Sequence, residues 1–376
     1  MFSIFINNRS KQIRYETNVR ISLSTSINKQ IFQSSYMQDN TSHIIKCPSS
    51  LKGLNNKVKI FCAGPIQGAP LWQHHLPEID GAVWLSPRRD SYEDFDYDTQ
   101  TEWETTGLRI ADIILFWIPA PQEDIPGRGY AQTTRIEFGE NLARHSKPIV
   151  VGIYNEYNGR QYFINKMKEY DAGEVYSNLD DCINKVSELV AQKKKEKMFF
   201  TSDTHFSQER AMELSKRPFN SVYDMDWTLI DRWNAVVGPN DTVYHLGDFG
   251  ESWPTDYLNG NIVFIKGNYE RDDKSPIPPN VTIYGDGESL TLKDNGRLWL
   301  IMAHEPTRAL AIRNNKYGNK NIPIAFGHIH GRQKVKSWDG YDVGVDSNNF
   351  TPVSRDDLFF YFNAIEKGYY DQDVWC

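Results

Sequence analysis

Five short segments in the second half of the chain constrain its fold more than any other feature. They read Ser202-Asp203-Thr204-His205, His245-Leu246-Gly247-Asp248-Phe249, Lys266-Gly267-Asn268-Tyr269-Glu270, a lone His304, and Gly327-His328-Ile329-His330. Each follows an apolar run of strand character, so each occupies a predicted strand end. A fold that gathers those ends brings together seven oxygen and imidazole donors: Asp203, His205, Asp248, Asn268, His304, His328 and His330. Asp203 and His205 are spaced i, i+2, which on a strand end points both to one side, and His328 and His330 repeat the spacing. Nitrogen and oxygen donors without thiolate suit manganese, iron, nickel or a catalytic zinc rather than a structural zinc. Two divalent metal ions are therefore expected, with manganese favoured, and a pair of such ions suits phosphoryl transfer to water. A single Asp-x-His would be ordinary strand-end polarity; five ordered segments are not. His245, ahead of the Leu-Gly-Asp turn, reads as structural.

The 376 residues suggest two or three domains. Residues 1–56 read as an N-terminal appendage, partly irregular, in which Val19, Ile21 and Leu23 alternate like a short strand. Residues 57–195 alternate strands and helices, which predicts an open parallel sheet. Strands are expected at 58–65, 81–85, 113–118 and 148–154, and helices at 102–110 and 135–145. Leu179, Ile183, Val186 and Val190 recur at helical spacing. The run Lys193-Lys194-Lys195-Glu196-Lys197 reads as a solvated helix end and linker. Residues 196–376 form a further α/β unit, with a helix at 221–237 and strands at 242–244, 262–265, 298–302 and 324–326.

A formal charge of −7 argues against a general polyanion binder, and so against long nucleic acid. Cys47, Cys62, Cys182 and Cys376 show no paired spacing, and a reducing cytoplasmic setting is expected. No run approaches the ~18 apolar residues of a membrane span, and no secretory signal pattern opens the chain, so no membrane partner is expected.

The first half carries its own pattern. Ala63-Gly64-Pro65 ends a strand, Trp103-Glu104 lies in a helix, Ala111-Asp112 opens an apolar strand, and Thr133-Thr134-Arg135-Ile136-Glu137-Phe138-Gly139 begins a helix. With Thr133 or Thr134 as cap, Glu137 falls in the first turn, where the helix dipole favours a carboxylate. Such a group can attack an anomeric carbon, and Asp112 could orient it or handle the leaving-group proton. Arg88 and Arg89 could hold a phosphate, or be exposed surface arginines. Gly64 and Gly68 mark a turn, with spacing too weak for a dinucleotide fingerprint.

With Ser86-Pro87-Arg88-Arg89, Ala-Asp-x-x-Leu-Phe-Trp and Glu-Phe-Gly, residues 57 to about 163 resemble the nucleoside 2-deoxyribosyltransferase-like superfamily. The resemblance implies a Rossmann-like open sheet with Glu137 as nucleophile and Asp112 as the Asp after Ala. Gly64, Pro65, Trp103, Glu104, Arg88 and Arg89 would line a nucleoside or nucleotide pocket, and the domain would mediate a homo-oligomer. An acidic residue expected shortly before the nucleophile of the transferases is absent, where Ala131 and Gln132 stand.

Residues 198 to about 362 resemble the calcineurin-like metallophosphoesterases. The motifs are those above, together with Val343-Gly344-Val345-Asp346 and Pro352-Val353-Ser354. This implies a four-layer α/β/β/α sandwich. Asp203, His205 and His330 would bind one metal and Asn268, His304 and His328 the other, with Asp248 bridging. Tyr269 stands where the family carries a catalytic His. A phenol is a poorer proton shuttle than an imidazole near neutral pH, though still a donor. The expected function is a bifunctional nucleotide-processing enzyme that breaks an N-glycosidic bond, by hydrolysis or base exchange, and hydrolyses a phosphoester. The alternative is a metal-dependent phosphodiesterase acting on a cyclic nucleotide or nucleic acid, with a non-catalytic first domain.

Overall fold

The computed structural model describes residues 43–93, 96–127, 129–272, 277–278, 281–284, 289–294, 297–318, 321–331 and 340–367. The expected short strand around Val19 lies outside them.

The first sheet has six strands: β1 (Ile44–Lys46), β2 (Val58–Ala63), β3 (Ala82–Ser86), β4 (Ile113–Ile118), β5 (Ile149–Ile153) and β6 (Val175–Tyr176). All are parallel, in the order β1-β3-β2-β4-β5-β6. The inner strands β2 to β5 are buried along their whole length. Both faces are covered, which is why these strands read as unbroken apolar runs rather than alternating ones. Helices α1 (Tyr97–Ile110), α2 (Gln132–Arg144) and α3 (Arg160–Glu169) cover one face, placing Trp103, Phe138 and Phe163 against Phe61 and Phe116. Helix α4 (Leu179–Lys193) covers the other with Cys182, Val186 and Val190. Each such fully buried aliphatic or aromatic side chain contributes roughly 1.5–3 kcal/mol.

Two boundaries differ most from expectation. β1 belongs to this sheet, and Cys47, Leu51 and Leu54 join its core, so the sheet unit begins well before residue 57. A three-residue edge strand is too short to show a periodicity. Helix α1 starts five residues earlier than predicted because Asp96 caps it, accepting from Thr99 N at 2.8 Å.

The second half opens with β7 (Met198–Thr201), α5 (Glu209–Leu214), α6 (Val222–Val236), β8 (Thr242–His245), β9 (Asn261–Phe264) and α7 (Asn268–Asp272). It continues with β10 (Val281–Ile283), β11 (Ser289–Asp294), β12 (Arg297–Ala303), α8 (Pro306–Tyr317), β13 (Ile324–Phe326) and β14 (Gly340–Asp342). It closes with β15 (Val353–Ser354) and α9 (Arg355–Glu366). These strands make a five-stranded sheet, β10-β9-β8-β7-β15, and a four-stranded one, β11-β12-β13-β14. Met225, Leu229, Ile230 and Trp233 of α6 pack on Phe199, Val243 and Ile262 of the first of these. Its other face, with Phe200 and Leu246, meets Leu300, Met302 and Ala325 of the second. The outer face of the second, with Ile301 and Ile324, is covered by Ala309 of α8.

Contacts join everything from His43 onward into one unit. Lys59 of β2 and Asp112, just before β4, form a buried ion pair at 3.0 Å. Asn259 from the second half donates to Asp112 Oδ1 and accepts from Lys59 Nζ, both at 2.5 Å. Nearby, the Arg109 guanidinium lies over Trp227 at 5.0 Å and donates to Tyr223 Oη at 2.9 Å. Removing one partner of a buried pair leaves an uncompensated charge. Asp112→Ala is therefore expected to destabilise the protein by about 3–5 kcal/mol. Urea unfolding checks this; a change under about 1 kcal/mol contradicts it.

Candidate functional site

Strand order in the first sheet reverses between β2 and β4, since β3 lies to one side of β2 and β4 to the other. Open α/β sheets bind ligands in the crevice beyond the carboxyl ends of strands at such a point. A cavity of about 640 Å³ occupies that position, lined by Gly64 and Pro65 after β2, Arg88 after β3, Glu104 of α1 and Glu137 of α2. Gly64 is required by space, because a Cβ there would run into the carbonyl oxygen of Trp117 on β4.

Glu137 is half-buried, and its carboxyl takes no hydrogen bond among the described residues. Burial, then the charges of Glu104 and Glu140, push it up to about 8. Glu104 is pushed up by burial as well, but a hydrogen bond from Gln100 and the charge of Arg89 oppose the shift. Gln100 Nε2 donates to Glu104 Oε1 at 2.7 Å, and Arg89 Nε donates to Gln100 Oε1 at 2.7 Å. One carboxyl is thus locked in place and the other left to the cavity.

Four expectations change here. Asp112 does not reach Glu137; it lies at the amino end of β4, locked to Lys59 and Asn259, while the cavity lies at the carboxyl end. Helix α2 begins at Gln132 behind Ala131, without a side-chain cap, so neither Thr133 nor Thr134 caps it and Glu137 sits past the first turn. Trp103 does not line the cavity; its ring is in the core, 6.2 Å from that of Phe61, with Nε1 bonded to Ser49 O. Arg88 and Arg89 are not exposed surface residues; both are buried.

The second half gathers its donors at the carboxyl ends of β7 and β8 and the ends of β12 and β13. Carboxylate and imidazole atoms of Asp203, His205 and His330 lie within 4.8 Å of one another, as do those of Asp203, Asp248 and His304. Asn268 Oδ1 is 2.9 Å from His304 Nε2 and 3.0 Å from His328 Nδ1. Asp248 Oδ2 is 3.4 Å from His304 Nε2 and 3.8 Å from His205 Nε2, so it stands between the two groups.

The route to this arrangement is not the pleat. Asp203, His205, Asp248, His328 and His330 all have φ between 49° and 74°, beyond the ends of their strands. Left-handed backbone at five non-glycine donors is strain of the kind held at functional sites. It also sends His328 and His330 to different groups rather than to one side. Glycine precedes three of the donors for reasons of space. A Cβ at Gly327 would strike Asp203 Oδ2, and one at Gly267 would strike Asp248 Oδ1.

The donor atoms fit a cation. His304 Nδ1 lies 2.8 Å from Leu246 O, an acceptor, so Nδ1 carries a hydrogen and Nε2 is the nitrogen that faces Asn268 Oδ1 and Asp248 Oδ2. Acceptors this close need a proton or a metal between them. Burial alone would lower His304, yet its bond to Asp248 and the nearby carboxylates raise it to about 9. Among the described residues His205 Nε2 is buried without a hydrogen-bond partner, while its Nδ1 is held by Gln208.

Residues to which the motifs gave no role of their own hold these donors. Glu270 accepts from the backbone N–H groups of Gly267, Asp248 and Phe249, tying two donor loops together. Arg217 pairs with Asp346 at 2.8 Å and donates to Asp203 O and Thr204 O. Asp346 in turn bonds His330 Nδ1 at 2.8 Å. Glu270 stands two positions after Asn268 in the same short segment, which is a usable signal; nothing local marks Arg217. His245 is fully buried against Phe249, bonded to Thr204 Oγ1 at 3.0 Å. Tyr269 is 41% exposed, with its ring 5.1 Å from that of His205 and its N–H on Asp248 Oδ1.

Residues 57–157 match the family model described as nucleoside 2-deoxyribosyltransferase like. The uncharacterized protein MJ1445 of Methanocaldococcus jannaschii is 31% identical over 186 residues, spanning 46% of this chain and 93% of that protein. The Gene 66 protein of Mycobacterium phage L5 is 32% identical over 131 residues, 32% of this chain and 56% of that protein. A solved structure, the protein of unknown function AQ665 from Aquifex aeolicus, aligns over 44% of this chain and 99% of its own at 20% identity, with a TM-score of 0.35. No helix among the described residues is long and apolar enough to cross a membrane.

Proposed function

We propose that this chain, which belongs to one family with MJ1445 and carries a nucleoside 2-deoxyribosyltransferase-like domain at residues 57–157, is a nucleotide-processing enzyme with two active sites. The first breaks an N-glycosidic bond. The observation that carries it is the Glu137 carboxyl, left without a hydrogen-bond partner among the described residues in a cavity at the switch point of a parallel sheet. In this reading Glu137 attacks C1′ as the C1′–N bond breaks, and Glu104 gives the departing base its proton. Water, or a second base, then attacks C1′, Glu104 takes the proton back, and Glu137 is released. Glu104 takes the role expected of Asp112.

Attack requires ionised Glu137, and a carboxyl raised to about 8 is protonated below that pH. Because Glu104 must keep its proton in the same form of the enzyme, the kcat/KM for base release should be bell-shaped and should fall by up to about tenfold per pH unit on the alkaline side, beyond about pH 8. A pH–rate profile checks this; a rate that keeps climbing well above pH 8 contradicts it.

The second site is a phosphoester hydrolase. Asp203, His205 and His330 would hold one divalent ion, and Asn268, His304 and His328 a second, with Asp248 between them. Ions there would supply Lewis-acid polarisation of a phosphoryl oxygen and activation of water. Glu270 and Arg217 keep the donor loops in place, and Tyr269 offers a hydrogen-bond donor at the rim. The layered order of α6, two sheets and α8 supports this reading. Tyr269→His should speed hydrolysis of monoesters with poor leaving groups by about a hundredfold. Diesters with good leaving groups should change little; unchanged rates on both substrates would sink the role given to Tyr269.

Both activities are tested by mass spectrometry of products from a panel of nucleosides and nucleoside monophosphates, with and without manganese. Free base without added metal, and phosphate only with it, is the expected result. Absence of either product refutes the corresponding site.

A further inference from the structure

The cavity beside Glu137 holds a cation whose counter-charge is not supplied by the described residues. Arg88 is 6% exposed and lies directly beyond β3, at the carboxyl edge of the sheet. Its Nε donates to Gln73 Oε1 at 3.0 Å. Its Nη2 donates to the carbonyl oxygens of Ile66 at 2.8 Å and Pro70 at 3.2 Å. All three acceptors are neutral. The ionisable neighbours that act on Arg88 are the phenols of Tyr92 and Tyr130, not a carboxylate, and burial works against its charge. Glu104 and Glu137 line the same cavity, but Glu104 is engaged by Gln100.

A guanidinium taken out of water needs an anion or good hydrogen bonds around its whole plane. Here two nitrogens are pinned by fixed acceptors, and Nη1 takes no bond among the described residues. The fork is held by these bonds, and Arg88 is one of the residues that line the cavity. A rigid guanidinium edge matches the oxygens of a phosphate monoester, which can take parallel N–H donors and complete the charge balance. The cavity is also large enough for a base, a sugar and a phosphate together, at about 640 Å³.

We propose that Arg88 is an anion subsite and that the substrate cleaved beside Glu137 is a nucleoside monophosphate rather than a free nucleoside. This rests on the N-glycosidic reading of Glu137. The products are a free base and a sugar phosphate, with water adding across the C1′–N bond.

The test uses the full chain in chelator, so that phosphoester hydrolysis is silent. Base release is measured from matched nucleoside 5′-monophosphates and nucleosides of the common bases, ribo and deoxy, and binding of AMP and adenosine is measured by calorimetry. Wild type should favour the monophosphate by about 10–100-fold in kcat/KM. Arg88→Met should abolish that preference while nucleoside turnover stays within about threefold. If the thermal melt shows Arg88→Met unfolded, Arg88→Gln, which keeps a donor for the Ile66 and Pro70 carbonyls, carries the comparison. Equal kcat/KM for both substrates in wild type, or a preference that survives in a folded Arg88 variant, overturns the proposal. No base release from any substrate refutes the Glu137 reading instead. Tighter binding of AMP than adenosine, lost in the Arg88 variant, would then still uphold the anion subsite, and equal binding would overturn it.

Discussion

Glu137→Gln should lower base release by at least about a thousandfold while phosphate release in manganese stays unchanged. The substitution keeps the side chain's size and removes its ability to ionise. It breaks no protein hydrogen bond among the described residues, so the fold should tolerate it. The carboxyl is also expensive to ionise where it sits, raised to about 8 by burial and by Glu104 and Glu140. An amide there removes that cost, and the variant should be no less stable than wild type above neutral pH. The sign follows from the direction of the shift: a carboxyl raised in the folded state penalises folding increasingly as pH climbs from its ordinary value through about 8. Loss of base release together with a lowered melting temperature would point to collapse of the pocket rather than loss of a nucleophile. Base release at the wild-type rate would refute the assignment.

Asp248→Ala should lower phosphate release by at least about a hundredfold, with base release in chelator untouched. Asp248 Oδ2 faces both His205 and His304, and its Oδ1 accepts from Tyr269 N at 3.1 Å. Removing it takes a donor from both groups at once. Metal content is the second readout: fewer ions per chain than wild type, measured by plasma emission, is expected after dialysis against limiting manganese. Full metal occupancy with lost phosphate release would move Asp248 from holding ions to another role. Unchanged phosphate release would remove the second site altogether. The pairing of these two variants matters, because each is expected to leave the other activity at the wild-type rate.

Much of the first sheet was legible in the chain. A central parallel strand is buried on both faces, so Ile113–Ile118 reads as an uninterrupted apolar run, and the structure gives it those bounds. The amphipathic stripe of Leu229, Ile230 and Trp233 is local in the same way. Short edge strands such as Ile44–Lys46 and Val353–Ser354 were not legible, since their pairing comes from residues far away in sequence. Asp112 shows the limit most clearly. Its motif placed it on a strand of the right sheet, but a motif does not say which end of a strand faces the ligand. Its partners, Lys59 and Asn259, are 53 and 147 positions away.

The sequence by itself determined which donors this protein has and that each lies just beyond an apolar strand, because burial and turn chemistry are written in neighbouring residues. It did not determine how the donors divide. Left-handed backbone at Asp203, His205, Asp248, His328 and His330 turns each side chain individually, and tight glycines at 267 and 327 let the loops close on one another. Those torsions are stabilised by contacts such as Arg217 to Asp346 and Glu270 to three backbone amides, which exist only once distant segments have packed. The same holds in the first half: tertiary packing sends Asp112 into a seam, turns Trp103 into the core, and leaves Glu104, Glu137 and Arg88 facing one cavity.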